Sequence, residues 1–270
     1  MLGTALMAEF FDLNSVGWDR AEIDITDQKM VVAKILALKP TLIINAAAYT
    51  DVDGAESNPA LANAVNGTAV GYLAAAAKQL GAILIHYSTD YVFNGQNKAG
   101  YIEEDKPDPI NAYGGSKLLG EQALQRNTDQ FYLIRTAWLY GPNGKNFVDT
   151  ILNLAKTKEN LKVVDDQHGR PTYTIDLAKA TRQLVASQLE FGIYHFTNQT
   201  KSAGITWFEL AKKSIELSGI KSEISPCQTK DFPRPAKRPA YGVLQNNKFK
   251  PLRDWQEALK DYLSKKISII

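Results

Sequence analysis

Hydrophobic positions in the first half of the chain alternate between helical and strand spacing, the pattern of a parallel sheet joined by crossover helices. Leu2 to Leu13 predicts a helix, and Val16-Gly17-Trp18-Asp19 a short strand ending on an acid. Asp27 to Leu38 predicts a second helix, with Asp27 as its N-cap and Pro40 just past its end. Thr41 to Asn45 is an apolar run bounded too tightly for a helix, and therefore a buried strand. Pro59 to Leu80 is a long alanine-rich helix stopped at Gly81, followed by a buried strand over Ala82 to Tyr87. A helix over Ala112 to Gln125 and a strand over Phe131 to Arg135 complete this half.

Beyond about residue 140 the pattern changes to helices near 146–157, 175–189, 205–219 and 255–267, separated by short strands and proline-rich connections. Pro226 to Pro239 holds four prolines and reads as a loop that closes over something. The expected architecture is an α/β, doubly wound parallel sheet over residues 1–140, with a smaller α+β lobe over 141–270 that returns some segments to the first core. A doubly wound dinucleotide fold starts with a strand and a glycine-rich turn before its first helix. The chain begins at what reads as the end of that turn. Gly3 is either its last glycine or part of a flexible N-terminus, and Leu2 and Gly3 are counted among the cofactor contacts. The expectation is that the reading frame continues upstream into a short apolar strand ending in Gly-x-x-Gly.

Composition narrows the function. Thirty-one basic against 29 acidic residues leave no electrostatic footprint for nucleic acid or an anionic membrane. Cys227 is the single cysteine, so no intramolecular disulfide forms, and a reducing cytoplasm is the expected compartment. The first residues lack the basic flank and long apolar core of a signal peptide, and no apolar run approaches the ~20 residues of a membrane span.

The chemistry concentrates at Tyr113-Gly114-Gly115-Ser116-Lys117. Four residues of helix put the phenol and the ammonium on one face, one turn apart. A free phenol of pKa ~10 is a poor acid or base at neutral pH, and a neighbouring ammonium draws it toward the working range. The preceding strand ends in Tyr87-Ser88-Thr89-Asp90-Tyr91-Val92-Phe93, at the carboxyl edge where ligands gather in a parallel sheet. Thr89 there carries a hydroxyl able to hold a substrate oxygen beside Tyr113. Asn45-Ala46-Ala47-Ala48-Tyr49-Thr50 closes the strand before it, with small residues that let a flat ring or a ribose approach the backbone. Asp19 stands where an acid commonly meets the adenosine ribose, Arg20 beside it suits a 2′-phosphate, and Asp24 and Ile25 suit an adenine.

These segments resemble those of the dTDP-4-dehydrorhamnose reductases, a branch of the extended short-chain reductases. The resemblance runs through Asn45 to Asp53, Ser88 to Phe93, Asn111 to Glu121, Arg135 to Tyr140, Asn146-Phe147, Asp166 to Thr172 and Arg238-Pro239, in order along the chain. It implies hydride transfer from NADPH or NADH to C4 of a 4-keto-6-deoxy sugar carried on dTDP. Tyr113 would protonate the nascent alkoxide. Lys117 would hold the nicotinamide ribose and depress the Tyr113 pKa, while Thr89 would orient the carbonyl. By the same resemblance Asp24, Ile25, Ala48, Tyr49, Thr50, Tyr87, Tyr113 and Lys117 contact the cofactor, and Asp90, Trp138, Asn146 and Arg238 the sugar nucleotide. A monomer or homodimer is implied, as is Mg2+ at subunit contacts in some relatives, without ligands assignable here. Two rivals stand beside this reading. Sugar-nucleotide dehydratases carry Asp-Glu after the Thr, whereas Tyr91 follows Asp90 here. A non-catalytic subunit, like the regulatory subunit of methionine adenosyltransferase, is similar in fold but is disfavoured by the intact Thr89, Tyr113 and Lys117.

Overall fold

The computed structural model of the chain describes residues 1–201 and 204–267. Its centre is a parallel sheet in the order β1 (Leu42–Asn45), β2 (Ile83–Thr89), β3 (Phe131–Thr136) and β8 (Gly192–His195). Each strand packs side chains on both faces, so both faces need helices. On one side α1 (Leu2–Glu9) and α8 (Thr174–Ala186) pack Leu2, Leu6, Leu177 and Leu184 against Ile85, Tyr87, Tyr132 and Ile134. On the other, α2 (Gln28–Leu38), α5 (Ala69–Leu80) and α6 (Ala112–Asn127) enclose Leu84 and Leu133 with Val31, Ile35, Val70, Leu73 and Leu124. The doubly wound expectation therefore holds.

Local signals explain most boundaries. Asp27 caps α2 by accepting from the backbone N–H groups of Lys29 and Met30. Gly81 ends α5 in the left-handed region, φ 63°. After the short α3 (Val52–Ser57), the expected helix from Pro59 to Leu80 runs as α4 (Pro59–Asn63), one π-helical turn (Ala64–Thr68) and α5. The first helix ends at Glu9 and continues as a 3₁₀ turn over Phe11–Leu13.

One element departs from expectation. Val16 to Asp19 is not a strand. A strand exists only through a hydrogen-bonded neighbour, and among the described strands none lies beyond β1, which pairs with β2 on one side and with nothing on the other. Val16 is accordingly about half exposed.

A second apolar cluster joins α7 (Phe147–Ala155), α9 (Trp207–Ser218) and α10 (Trp255–Ile267) to β5 (Asn160–Val164), which pairs in parallel with β10 (Glu223–Cys227). Short strands β4 (Leu139–Tyr140), β7 (Thr172–Tyr173), β6 (His168–Gly169) and β9 (Ile205–Thr206) bring Trp138 and residues 165–173 beside the sheet edge. The proline-rich segment crosses to the first half: Ala236 N–H donates to Asp53 at 3.1 Å, and Asn111 Nδ2 donates to the Lys237 carbonyl at 2.8 Å. Among the described residues no helix is long and apolar enough to cross a membrane.

Candidate active site

The carboxyl end of β2 and the first two turns of α6 build the site. Helix α6 starts at Asn111, whose side chain accepts from Gly114 N–H at 2.7 Å. Its backbone comes so close to the turn after β2 that a Cβ on Gly114 would lie 2.1 Å from the Tyr91 carbonyl oxygen. Glycine is therefore required at 114, and the close approach sets Tyr113 against Tyr91, ring edge to face at 5.6 Å.

Lys117, 2% exposed, points into the sheet. Its Nζ donates to the Tyr87 carbonyl at 2.6 Å and lies 3.3 Å from His86 Nε2. Burial lowers its pKa to about 8, with Glu121 pulling the other way. Thr89, also buried, donates to Asp90 Oδ1 at 2.9 Å and accepts from Tyr91 N–H at 3.2 Å. Asp90 is pushed up to about 7 by burial, against the lowering hydrogen bonds from Thr89 and from the Asp90 and Tyr91 amides.

The electrostatics of Tyr113 differ from the expected depression by Lys117. Burial raises its pKa first, the neighbouring Asp90 raises it further, and the Thr89 hydroxyl alone lowers it. The reason is geometric: the Lys117 ammonium is turned onto the Tyr87 carbonyl and His86. The phenol is thereby kept protonated near neutrality, the form that serves as an acid.

The remaining expected residues sort by environment. Ala48 and Thr50 are exposed at the mouth of β1, and Tyr49 is half-buried, its backbone N–H and C=O both held by the Asn66 side chain. The Tyr87 hydroxyl is committed to Thr181 at 2.8 Å, on the far face of the sheet, so its share in the site is its carbonyl. Asp19 and Asp24 are exposed and close local turns, accepting from Ala21 N–H and Thr26 N–H; Ile25 packs onto the cluster around Val31. Leu2 is buried in the core, which leaves its backbone for contacts, while a Cβ on Gly3 would meet open space.

Trp138 lies face to face with Trp207, centroids 3.5 Å apart, in a left-handed backbone conformation at φ 49°. Asn146 is spent on structure, capping α7 through Asp149 N–H and donating to the Gly141 carbonyl and Tyr262. Arg238 likewise is engaged: its guanidinium grips both oxygens of Asp53, at 2.8 and 3.0 Å. The structure thus brings Thr89, Asp90, Tyr113 and Lys117 together, while the Asn146 side chain is engaged in the α7 cap.

His86 and Asn66 escaped the sequence reading, and Asn45 entered it only as the start of the small-residue loop. His86 and Asn45 form a buried line behind Lys117, with Asn45 Nδ2 3.1 Å from His86 Nδ1; a histidine inside an otherwise apolar strand was the available signal. Asn66 sits in the π-helical turn and ties Tyr49 to Ser116 of α6, donating to its Oγ at 2.9 Å. Single-turn π insertions concentrate at functional sites, but nothing in the local sequence marks one. Among the described residues no group of three or more His, Cys, Asp or Glu could hold a metal ion, so the Mg2+ implied by resemblance gains no ligands.

A doubly wound sheet with Thr, Tyr and Lys gathered at one carboxyl edge defines a short-chain-type dehydrogenase/reductase. The family model described as RmlD substrate binding domain matches residues 1–267, and the chain belongs to that family. A dTDP-4-dehydrorhamnose reductase of Streptomyces griseus is 42% identical over 253 residues, 90% of this chain and 82% of the relative. The spore coat polysaccharide biosynthesis protein SpsK of Bacillus subtilis is 40% identical over 91% of this chain and 87% of its own length. A solved dTDP-4-dehydrorhamnose reductase from Bacillus anthracis, in complex with NADP, superposes with a TM-score of 0.94 at 36% identity, covering 98% of this chain and 95% of that one. A UDP-glucose 4-epimerase from Thermus thermophilus, 20% identical with a TM-score of 0.78, shares the fold.

Proposed function

We propose that the chain reduces the C4 keto group of dTDP-4-dehydro-L-rhamnose to dTDP-L-rhamnose with NADPH or NADH, a step toward cell-surface polysaccharide. The observation that carries this reading is the convergence of buried Thr89 and Lys117 with the half-buried Tyr113, which is held in its acid form. Relatives 38–42% identical over about nine-tenths of the chain bear the name of that reductase.

The residues present suit a nicotinamide dinucleotide. An ammonium has three N–H donors; Lys117 directs one to the Tyr87 carbonyl and has His86 beside it, which leaves a donor for a ribose hydroxyl among the described residues. The small, exposed Ala47 and Ala48 admit a flat ring, and the open space beside Gly3 suits a pyrophosphate approaching the first turn of α1. When bound, the reduced nicotinamide supplies a hydride to the carbonyl carbon.

This chain's own residues do the rest. Thr89 orients the substrate carbonyl by turning its single hydroxyl hydrogen from Asp90 Oδ1 to the substrate oxygen. Tyr113 passes its phenolic proton to the oxygen as negative charge develops there. The stacked Trp138 and Trp207 offer an apolar wall to the sugar nucleotide. A dehydratase reading lacks its second carboxylate, since Tyr91 fills that place and packs on Tyr113. A purely regulatory role leaves the buried Lys117 arrangement without purpose.

Tyr113→Phe removes the transferable proton and little else. Turnover of dTDP-4-dehydrorhamnose with NADPH should fall at least ~10²-fold, with NADPH affinity nearly unchanged by titration. Turnover within a few-fold of the parent would refute the assignment.

A further inference from the structure

Behind Lys117 lies a line of buried polar groups that the reduction as described leaves unused. Asn45, the last residue of β1, stands opposite His86 in the parallel register with β2. Asn45 is 5% exposed and His86 fully buried. Asn45 Nδ2 faces His86 Nδ1 at 3.1 Å, and His86 Nε2 faces Lys117 Nζ at 3.3 Å. Asn45 Oδ1 accepts from Ala47 N–H at 3.1 Å, which binds this line to the loop expected to receive the cofactor.

The hydrogen count in this line is constrained. Burial, and then the Lys117 charge, hold His86 in the neutral form, and a neutral imidazole has one N–H. With Asn45 Nδ2 donating to Nδ1, the ring proton sits on Nε2 and points at Lys117, a contact that closes only when Nζ is an uncharged amine. A charged Lys117 requires the other tautomer. Its Nδ1–H then meets the Asn45 amide, which must turn its oxygen to the ring and away from Ala47 N–H. The charge of Lys117, the His86 tautomer and the Asn45 orientation are one coupled unit. The charged group that acts on Lys117 is Glu121 on its own helix, which favours the ammonium and is itself paired through both oxygens with Arg135 of β3.

We propose that His86 is a positioning residue for the reduction: seated on Asn45, it fixes Lys117 Nζ between its own Nε2 and the Tyr87 carbonyl so that the remaining donor faces the cofactor ribose. It touches neither substrate nor cofactor and acts through Lys117. The inference rests on the reading of Tyr113 and Lys117 given above, and the two can fail separately.

The test uses His86→Leu, His86→Asn and His86→Gln in the full chain, with melting temperature recorded for each. The Gln amide reaches the place of Nε2 and offers Lys117 an oxygen; the Asn amide reaches only the place of Nδ1. NADPH dissociation constants are measured by direct titration, and kcat and KM by turnover. His86→Leu and His86→Asn should weaken NADPH about 10-fold and lower kcat about 10-fold, the loss of one hydrogen bond to a charged group, while His86→Gln recovers most of both. Lys117→Met should lose NADPH affinity by itself, and adding His86→Leu to it should cost no further affinity, because residues acting through one group are non-additive. Equal losses in the Leu and Gln variants, or full additivity with Lys117→Met, would overturn the proposal. Where a variant's melting temperature collapses, the affinity cycle in the better-folded Asn and Gln variants decides. Normal NADPH affinity and turnover in Lys117→Met would instead remove the reading of Lys117 itself.

Discussion

Replacing Asp90 by Asn should change the pH dependence of stability in a direction and by an amount the structure fixes. Asp90 is 3% exposed, and burial lifts its carboxyl from 3.8 to about 7. The unfolded chain releases this proton near 3.8 and the folded chain near 7, so between those values the native state binds more protons. Stability contributed by this group is therefore complete below about pH 4 and is lost as pH rises through 7. About three pKa units at ~1.4 kcal/mol each give about 4 kcal/mol, as an upper figure. The Asn side chain keeps an oxygen for Thr89 but has no proton to lose. Urea unfolding at intervals from pH 4 to 8.5 should show the stability of the variant, minus that of the parent, climbing across this window by up to about 4 kcal/mol. Other titrating groups cancel in that difference. A difference flat to within about 1 kcal/mol would refute the claim that Asp90 is buried at the cost of its charge. The same substitution removes the anion that raises Tyr113, so in the variant the alkaline limb of the kcat profile should move to lower pH.

Two further outcomes follow from named contacts. Glu121→Ala leaves the Arg135 guanidinium, 1% exposed, without its carboxylate partner and with the Glu103 carbonyl and His195 at 3.4 Å; the loss should be about 3–5 kcal/mol in urea unfolding, and under about 1 kcal/mol would show that these other contacts suffice. Trp138→Ala removes one face of the Trp138–Trp207 stack and should weaken the sugar nucleotide about 10-fold, roughly one aromatic contact, with NADPH affinity little changed; equal losses for both ligands would point to general destabilisation.

The parts legible in the sequence were those set by local periodicity and by spacing within one helix. The buried runs of β1, β2 and β3, the cap at Asp27 and the stop at Gly81 needed no tertiary information. Tyr113 and Lys117 were visible because a helical turn places them together whatever surrounds the helix. Residues whose role depends on a distant partner were not legible. Val16 to Asp19 has strand-like composition, but pairing decides the matter. Arg238 reads as a substrate charge until Asp53, 185 positions earlier, is seen gripping it. The sign of the Tyr113 shift was missed for a related reason: the four-residue spacing gives the nearness of Lys117, but the Tyr87 carbonyl decides where its ammonium points.

The precision of the site comes from how closely α6 is drawn against its neighbours on two sides. At its start, Gly114 lets the helix touch the Tyr91 backbone; one and a half turns later, a Cβ on Gly120 would lie 2.1 Å from the Asn66 carbonyl oxygen. Ser116 and Lys117 lie between these contacts, and Tyr113 directly precedes the first. Asn66 belongs to the π-helical turn, where one extra residue swings its side chain out of the regular ladder to clasp the Tyr49 backbone and reach the Ser116 hydroxyl. One asparagine therefore joins the loop after β1 to the helix that carries the acid. The loop is held a second time through Asn45, whose oxygen takes Ala47 N–H while its amide nitrogen meets His86 behind Lys117. Both tethers end on α6, one at Ser116 and one at Lys117. Any displacement of the loop would thus be felt at Ser116 and Lys117, at the end of the catalytic turn, and catalysis tolerates little error in such placement. The polar side chains that do this are buried and hydrogen-bonded on both ends, which is the condition under which a polar network rigidifies rather than weakens a core.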